Sequence, residues 1–85
     1  MKDILFEKSA LIEFNKWQKD DKKVFNRILD LLSDIQQNPF KGIGKPEALK
    51  YQLSGCWSRR INSEHRLVYK ITDNAIIVIS CKFHY

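Results

Sequence analysis

The stretch "NPFKGIGKPE", residues 38–47, separates two different hydrophobic periods within one short chain. Before it, Val24, Phe25, Ile28, Leu31, Leu32 and Ile35 recur at helical spacing and make one apolar stripe. After it, "CWSRRI" (56–61), "EHRLVYKI" (64–71) and "AIIVISCKF" (75–83) alternate as strands do, with Asn62-Ser63 and Thr72-Asp73-Asn74 at the turns between them. Helices first and strands afterwards is the order of an α+β domain. The striped helix starts at Asp20 or Asp21 and stops at Asn38-Pro39, because a residue before proline avoids helical backbone.

Upstream, Ser9 is placed to cap a first helix that carries Ala10, Leu11, Phe14 and Trp17 on one face. "DILFE" (3–7) alternates well enough for an opening strand. The expected architecture is an N-terminal strand, then a two-helix hairpin packed on an antiparallel sheet. A C-terminal three-stranded meander completes that sheet, in a single domain over residues 1–85. A chain of this length holds one modest core.

The net charge of +5 is unevenly placed. Residues 1–40 balance seven Lys/Arg against seven Asp/Glu, whereas residues 41–85 carry eight against three and hold the whole excess. A neutral half joined to a basic half points to an anionic partner such as nucleic acid, with a surface kept basic for solubility as the plainer reading. Cys56 and Cys81 stand 25 residues apart without a CxxC or Cys/His cluster, so no metal motif is present. Two ordinary thiols in a reducing cytoplasm are expected. "MKDILFEK" is too charged and too short for a signal peptide, and no apolar run approaches the about 18 residues of a membrane span.

Strand parity sorts the chemistry. Arg66, Val68 and Lys70 share one side of their strand, opposite His65, Leu67, Tyr69 and Ile71. Ser58 and Arg60 oppose Trp57, Arg59 and Ile61, and Ile76, Val78, Ser80, Lys82 and His84 share a side. A basic, partly open face containing Arg60, Arg66, Lys82 and His84 results, although parity alone leaves open which side meets the helices. With Glu47, Lys50 and Tyr85 the set offers a carboxylate, guanidiniums, an imidazole and a phenol, and needs no nucleophilic Ser or Cys. Cleavage of RNA through its own 2′-hydroxyl requires little else. A base takes the 2′ proton, a cation stabilises the pentacoordinate phosphorus, and an acid protonates the departing 5′ oxygen. Arg suits the middle role through its planar fork, and His suits the acid role by titrating near neutrality. Many basic domains own such an inventory; the order of residues is more specific.

"GKPE" (44–47), "LSGCWSRRI" (53–61), "EHRLVY" (64–69) and the closing "HY" (84–85), with "NPF" (38–40) upstream, closely resemble the YoeB toxins in the RelE/ParE superfamily of bacterial toxin–antitoxin pairs. The resemblance spans the chain and is sharpest over its second half. It implies a RelE-like fold and a ribosome-dependent endoribonuclease that cuts messenger RNA in the decoding site and halts translation. It further implies a cytoplasmic protein, often a homodimer, neutralised by a cognate YefM-like antitoxin, with no cofactor and no metal. By position, Glu47 resembles the general base, Arg66 the phosphate stabiliser and His84 the general acid. Tyr85 would position the RNA, with Lys50 and Arg60 as supporting RNA contacts. On that reading no tail comes after His84 and Tyr85 because the terminus lines the site. Cys56 departs from the pattern, since an aromatic residue usually precedes the Trp in this family.

Each residue also has a plainer use. Glu47 suits a helix start after Pro46, and Arg66 suits an ion pair with Glu64 or Asp73. His84 suits a frayed end, His65 a structural role, Arg59 a carboxylate partner, and Trp17 and Trp57 a core or dimer contact. Two other functions stay in view. One is a basic module that blocks translation without cutting; the other is a gyrase-inhibiting toxin of the same superfamily, a branch that lacks the Glu–Arg–His–Tyr set.

Overall fold

A computed structural model describes residues 1–83. The elements run β1 (Asp3–Phe6), α1 (Lys8–Asp20), α2 (Lys22–Gln37), β2 (Glu47–Ala48), a 3₁₀ turn (Tyr51–Leu53), β3 (Cys56–Arg60), β4 (Arg66–Ile71) and β5 (Ala75–Ser80). The strands form one sheet in the order β1-β5-β4-β3-β2. Its β3-β4-β5 portion is the expected antiparallel meander. The sheet as a whole is mixed, because β1 pairs with β5 in parallel. Periodicity identifies a strand and says nothing about the direction of its neighbour. Here the helical hairpin and the meander together bring β5 alongside β1 in the same sense, the long crossover that parallel pairing requires.

The helix ends have local causes. Glu7, not Ser9, is the residue before α1: its N–H still bonds Val78 O in the sheet at 3.0 Å, while its C=O accepts from Leu11 N at 2.9 Å. The sheet bond keeps Glu7 extended, so the helix opens at Lys8 and Ser9 falls inside it. Asp21 sits between the helices. Its N–H closes α1 on Trp17 O, and its Oδ1 accepts from Lys23 N and Val24 N at the start of α2. Asn38 ends α2 with extended backbone, as its place before Pro39 predicts.

The α2 stripe is buried as its spacing demands: Val24, Ile28, Leu31, Leu32 and Ile35 meet Leu67, Tyr69, Ile76 and Val78 from one face of the sheet. Phe14 and Trp17 of α1 pack beside them and Ala10 is fully buried, whereas Leu11 is exposed at the stripe's margin. The last strand ends at Ser80 rather than at residue 83. The register slips between Val68 and Tyr69, and Ser80 Oγ then bonds Glu13 of α1. Among the described residues the alternation from Ile76 therefore does not extend past the slip. No helix of the described residues is long and apolar enough to cross a membrane.

Arg59 points into this core and is fully buried. Its five N–H donors all find acceptors: Nε bonds Tyr69 Oη, Nη1 bonds Asp34 Oδ2 and Ile43 O, and Nη2 bonds Asn38 O and Lys41 O. Tyr69 Oη in turn donates to Pro39 O, and Asp34 Oδ2 accepts from Ile43 N. The loop 38–44 is thus wrapped around one guanidinium. Gly42 (φ +126°) and Gly44 (φ +78°) let it close in, since a Cβ at Gly42 would collide with the Asp34 carboxylate and one at Gly44 would stand 2.8 Å from Leu31 Cδ2. The carboxylate partner expected for Arg59 is observed, in Asp34.

The Arg59 hydrogen bond, helped by the Ile43 N–H, holds the Asp34 carboxyl below its ordinary range. A carboxyl depressed on folding adds stability that is complete above its unfolded value, near pH 4, and is lost as pH falls through the lower folded value. Urea unfolding followed from pH 5 to pH 2 should show this loss, and Asp34→Asn should flatten it. An acid limb that Asp34→Asn leaves unchanged would contradict the assignment.

Candidate active site

The sheet's other face is built by register. Glu47 of β2 stands opposite Ser58 of β3, and Arg60 at the end of β3 stands opposite Arg66 at the start of β4. Directly opposed residues share a face. Glu47, Ser58, Arg60 and Arg66 therefore project together, away from the face that buries Arg59, Leu67 and Tyr69. The Arg59-bound loop sets this edge, because Gly44 O accepts from Arg60 N at 2.7 Å just ahead of Lys45-Pro46-Glu47.

Arg66 Nη1 lies 3.0 Å from Glu47 Oε1 and 3.2 Å from Ser58 Oγ. The Arg66 side chain is 21% exposed and that of Glu47 61%, so the pair is anchored on one side and open to solvent on the other. Among the described residues, Arg66 Nε and Nη2 make no hydrogen bond, which leaves an edge of the fork for an oxyanion. Arg60 is exposed and, among the described residues, makes no ion pair. Two arginines directly opposed are unfavourable until an anion joins them.

These positions decide between several plain uses. Glu47 opens a strand and not a helix, and the carboxylate partner of Arg66 is Glu47, neither Glu64 nor Asp73. Lys50 is exposed just beyond β2, before a turn whose first residue, Tyr51, takes a left-handed φ of +58°. Lys82, grouped with the open face by parity, instead borders a cleft against α1 with Glu13, Lys16, Trp17 and Asp20. Cys56 stands opposite Lys70 and is half-buried, and the adjoining Trp57 packs on Phe40 at 4.9 Å between ring centres. His84 and Tyr85 lie outside the described residues.

One participant escaped sequence reading. Ser58 bonds Arg66, a contact its shared parity with Arg60 makes legible only once β3 and β4 are in register. His65 is buried, and its Nδ1 accepts from Phe83 N at 2.8 Å while its ring meets Trp17 edge-on at 4.8 Å. That environment gives His65 a structural place, apart from the Glu47–Arg66 pair.

What the arrangement offers is a carboxylate and a guanidinium in contact on an open basic face. Such a pair can accept a proton beside a group whose negative charge it also stabilises. The family model of YoeB-like toxins of bacterial type II toxin–antitoxin systems matches residues 6–85. The toxin YoeB of Synechocystis is 54% identical over 82 residues, covering 96% of this chain and 95% of that protein. The YoeB dimer structure from Staphylococcus aureus superposes with a TM-score of 0.93 at 48% identity, over 99% of this chain and 98% of that one. The heterotetrameric YoeB–YefM toxin–antitoxin complex from the same organism contains a chain with a TM-score of 0.92 at 48% identity, over 100% and 99%. The RelE-like α+β fold is thereby established, and the chain belongs to the YoeB-like toxins of bacterial type II toxin–antitoxin systems.

Proposed function

We propose that this toxin is a ribosome-dependent endoribonuclease that cleaves messenger RNA in the decoding site through the RNA's own 2′-hydroxyl. The observation that carries the reading is the 3.0 Å contact between Glu47 and Arg66 on the open face, with Arg60 directly across from Arg66. Glu47 takes the 2′ proton, and the 2′ oxygen attacks phosphorus. Arg66 stabilises the negative charge gathered on the phosphorane. The bond from phosphorus to the 5′ oxygen breaks, and His84 protonates that oxygen. The products are a 2′,3′-cyclic phosphate and a 5′-hydroxyl. Tyr85 positions the RNA, Lys50 and Arg60 hold flanking phosphates, and no step calls for a metal ion or cofactor.

The partners follow from the family. Staphylococcus aureus YoeB has been seen as a dimer and with YefM, and a homodimer and a YefM-like antitoxin are proposed here. Translating ribosomes place the site of action in the cytoplasm.

Primer extension on messages from cells expressing the toxin tests the activity. New ends within codons, absent with Glu47→Gln, are expected. Arrested translation without new ends would favour a non-cleaving basic module, and DNA breaks would favour a gyrase-directed toxin. Binding to programmed ribosomes should also weaken steeply with added salt, since each phosphate contact releases counterions. A flat salt dependence in a filter-binding titration would remove Arg60 and Lys50 from the RNA contact surface.

A further inference from the structure

From Cys81 to Phe83 the chain runs beyond β5, yet the backbone polar groups of Cys81 and Phe83 stay satisfied. Glu13 Oε1 on α1 accepts from Cys81 N at 2.9 Å and from Ser80 Oγ at 3.4 Å. One turn further along the same helix, Trp17 Nε1 donates to Cys81 O at 2.9 Å. From the opposite side, His65 Nδ1 accepts from Phe83 N, and Arg66 N donates to Phe83 O, both at 2.8 Å. The N–H and C=O of Cys81 and of Phe83 are thus all met, three of the four by side chains.

Cys81 is buried, Lys82 half-buried and Phe83 exposed, so the restraint runs from the core out to the surface. It also supports an unusual backbone. Phe83 is exposed and takes a left-handed φ of +60°, which a bulky residue keeps only where its surroundings over-determine it. The clamp is internally braced: the Trp17 and His65 rings meet at 4.8 Å, and the Phe83 ring lies 5.6 Å from His65. His65 must keep Nδ1 unprotonated to accept from Phe83, so its proton sits on Nε2, which faces the Glu64 carboxylate at 3.7 Å.

We propose that Glu13, Trp17 and His65 are positioning residues that fix the backbone of Cys81 and Phe83, directly ahead of His84 in the sequence, and that the rate of the cleavage step depends on this restraint. The proposal rests on the reading of His84 as the general acid. Arg66 links this clamp to the Glu47 pair, since its guanidinium holds Glu47 while its backbone N–H holds Phe83. Displacement of a catalytic group by about 1 Å costs roughly 100-fold in rate, so loosening this clamp should reach the chemistry without touching RNA affinity.

The test compares His65→Phe, which keeps a ring and loses the acceptor, with His65→Asn, whose Oδ1 can stand in for Nδ1. Trp17→Phe, which removes only the indole donor and part of the ring, serves as an independent variant should His65→Phe not fold. On programmed ribosomes, His65→Phe and Trp17→Phe should lower kcat by about 10–100-fold, with KM within about twofold. His65→Asn should recover most of the rate, and the Phe83 amide should lose its hydrogen-exchange protection in His65→Phe and keep it in His65→Asn. Unchanged kcat in folded His65→Phe and Trp17→Phe, while His84→Gln abolishes cleavage, would overturn the clamp and leave the acid assignment standing. Should His84→Gln cleave normally, the acid assignment fails instead. Phe83 amide protection then still reads the clamp: its loss in His65→Phe supports the restraint, and its persistence removes it.

Discussion

Replacing Glu47 with glutamine is expected to lower the rate of message cleavage by about 10²–10⁴, the usual worth of one acid–base role. The fold should hardly notice. Glu47 lies on a two-residue edge strand with its side chain 61% exposed, and its ion-pair partner is Arg66 at 3.0 Å. An amide oxygen can still accept that bond, and exposed ion pairs contribute only about 0–1 kcal/mol. The basic face, with Arg60 and Arg66, is untouched, so ribosome binding should persist. Single-turnover cleavage beside a thermal melt separates the terms. A variant that melts like the parent and cuts as fast would take the base role away from Glu47.

Arg59→Met should produce a large loss of stability. Arg59 is fully buried and serves one carboxylate, one phenol and three loop carbonyls. Breaking a buried ion pair by removing one partner costs about 3–5 kcal/mol. The Asp34 side chain is 31% exposed and can recover some hydration, which places the expected value near the lower end, about 3 kcal/mol. The carbonyls of Asn38, Lys41 and Ile43 lose their donor together, so the loop ahead of Glu47 should loosen with the core. Arg59→Lys should not rescue it, because an ammonium cannot present a planar five-donor fork. Equilibrium urea unfolding at pH 7 measures the difference; a change below about 1 kcal/mol would contradict the role given to this network.

The elements with strong periods are legible in the sequence alone. The stripe from Val24 to Ile35 is the helical side of the core, and the three alternating runs are β3, β4 and β5. Parity also places Arg60 and Arg66 on one face, which the direct pairing of these residues bears out. The features that escape reading lack a local period. A two-residue strand at Glu47 carries no alternation, so its pairing with Ser58, which brings the carboxylate to Arg66, has to come from the fold. The parallel placing of β1 depends on chain path, and the slip near Val68 cancels parity for residues 81–83. Arg59 and Arg60 are adjacent and chemically alike, yet one braces the core and the other faces solvent. Strand geometry separates them, and composition cannot.

In the proposed mechanism, side chains of this toxin turn the message's own 2′-hydroxyl into the attacking group. It is tested most directly with ribosomes programmed by a message carrying a single 2′-deoxy nucleotide at the position cut in the all-ribose control. This linkage should stay intact while binding is kept, and the control should yield a 2′,3′-cyclic phosphate and a 5′-hydroxyl. Cutting of the deoxy linkage at the control rate, or a 5′-phosphate on the downstream fragment, would contradict it.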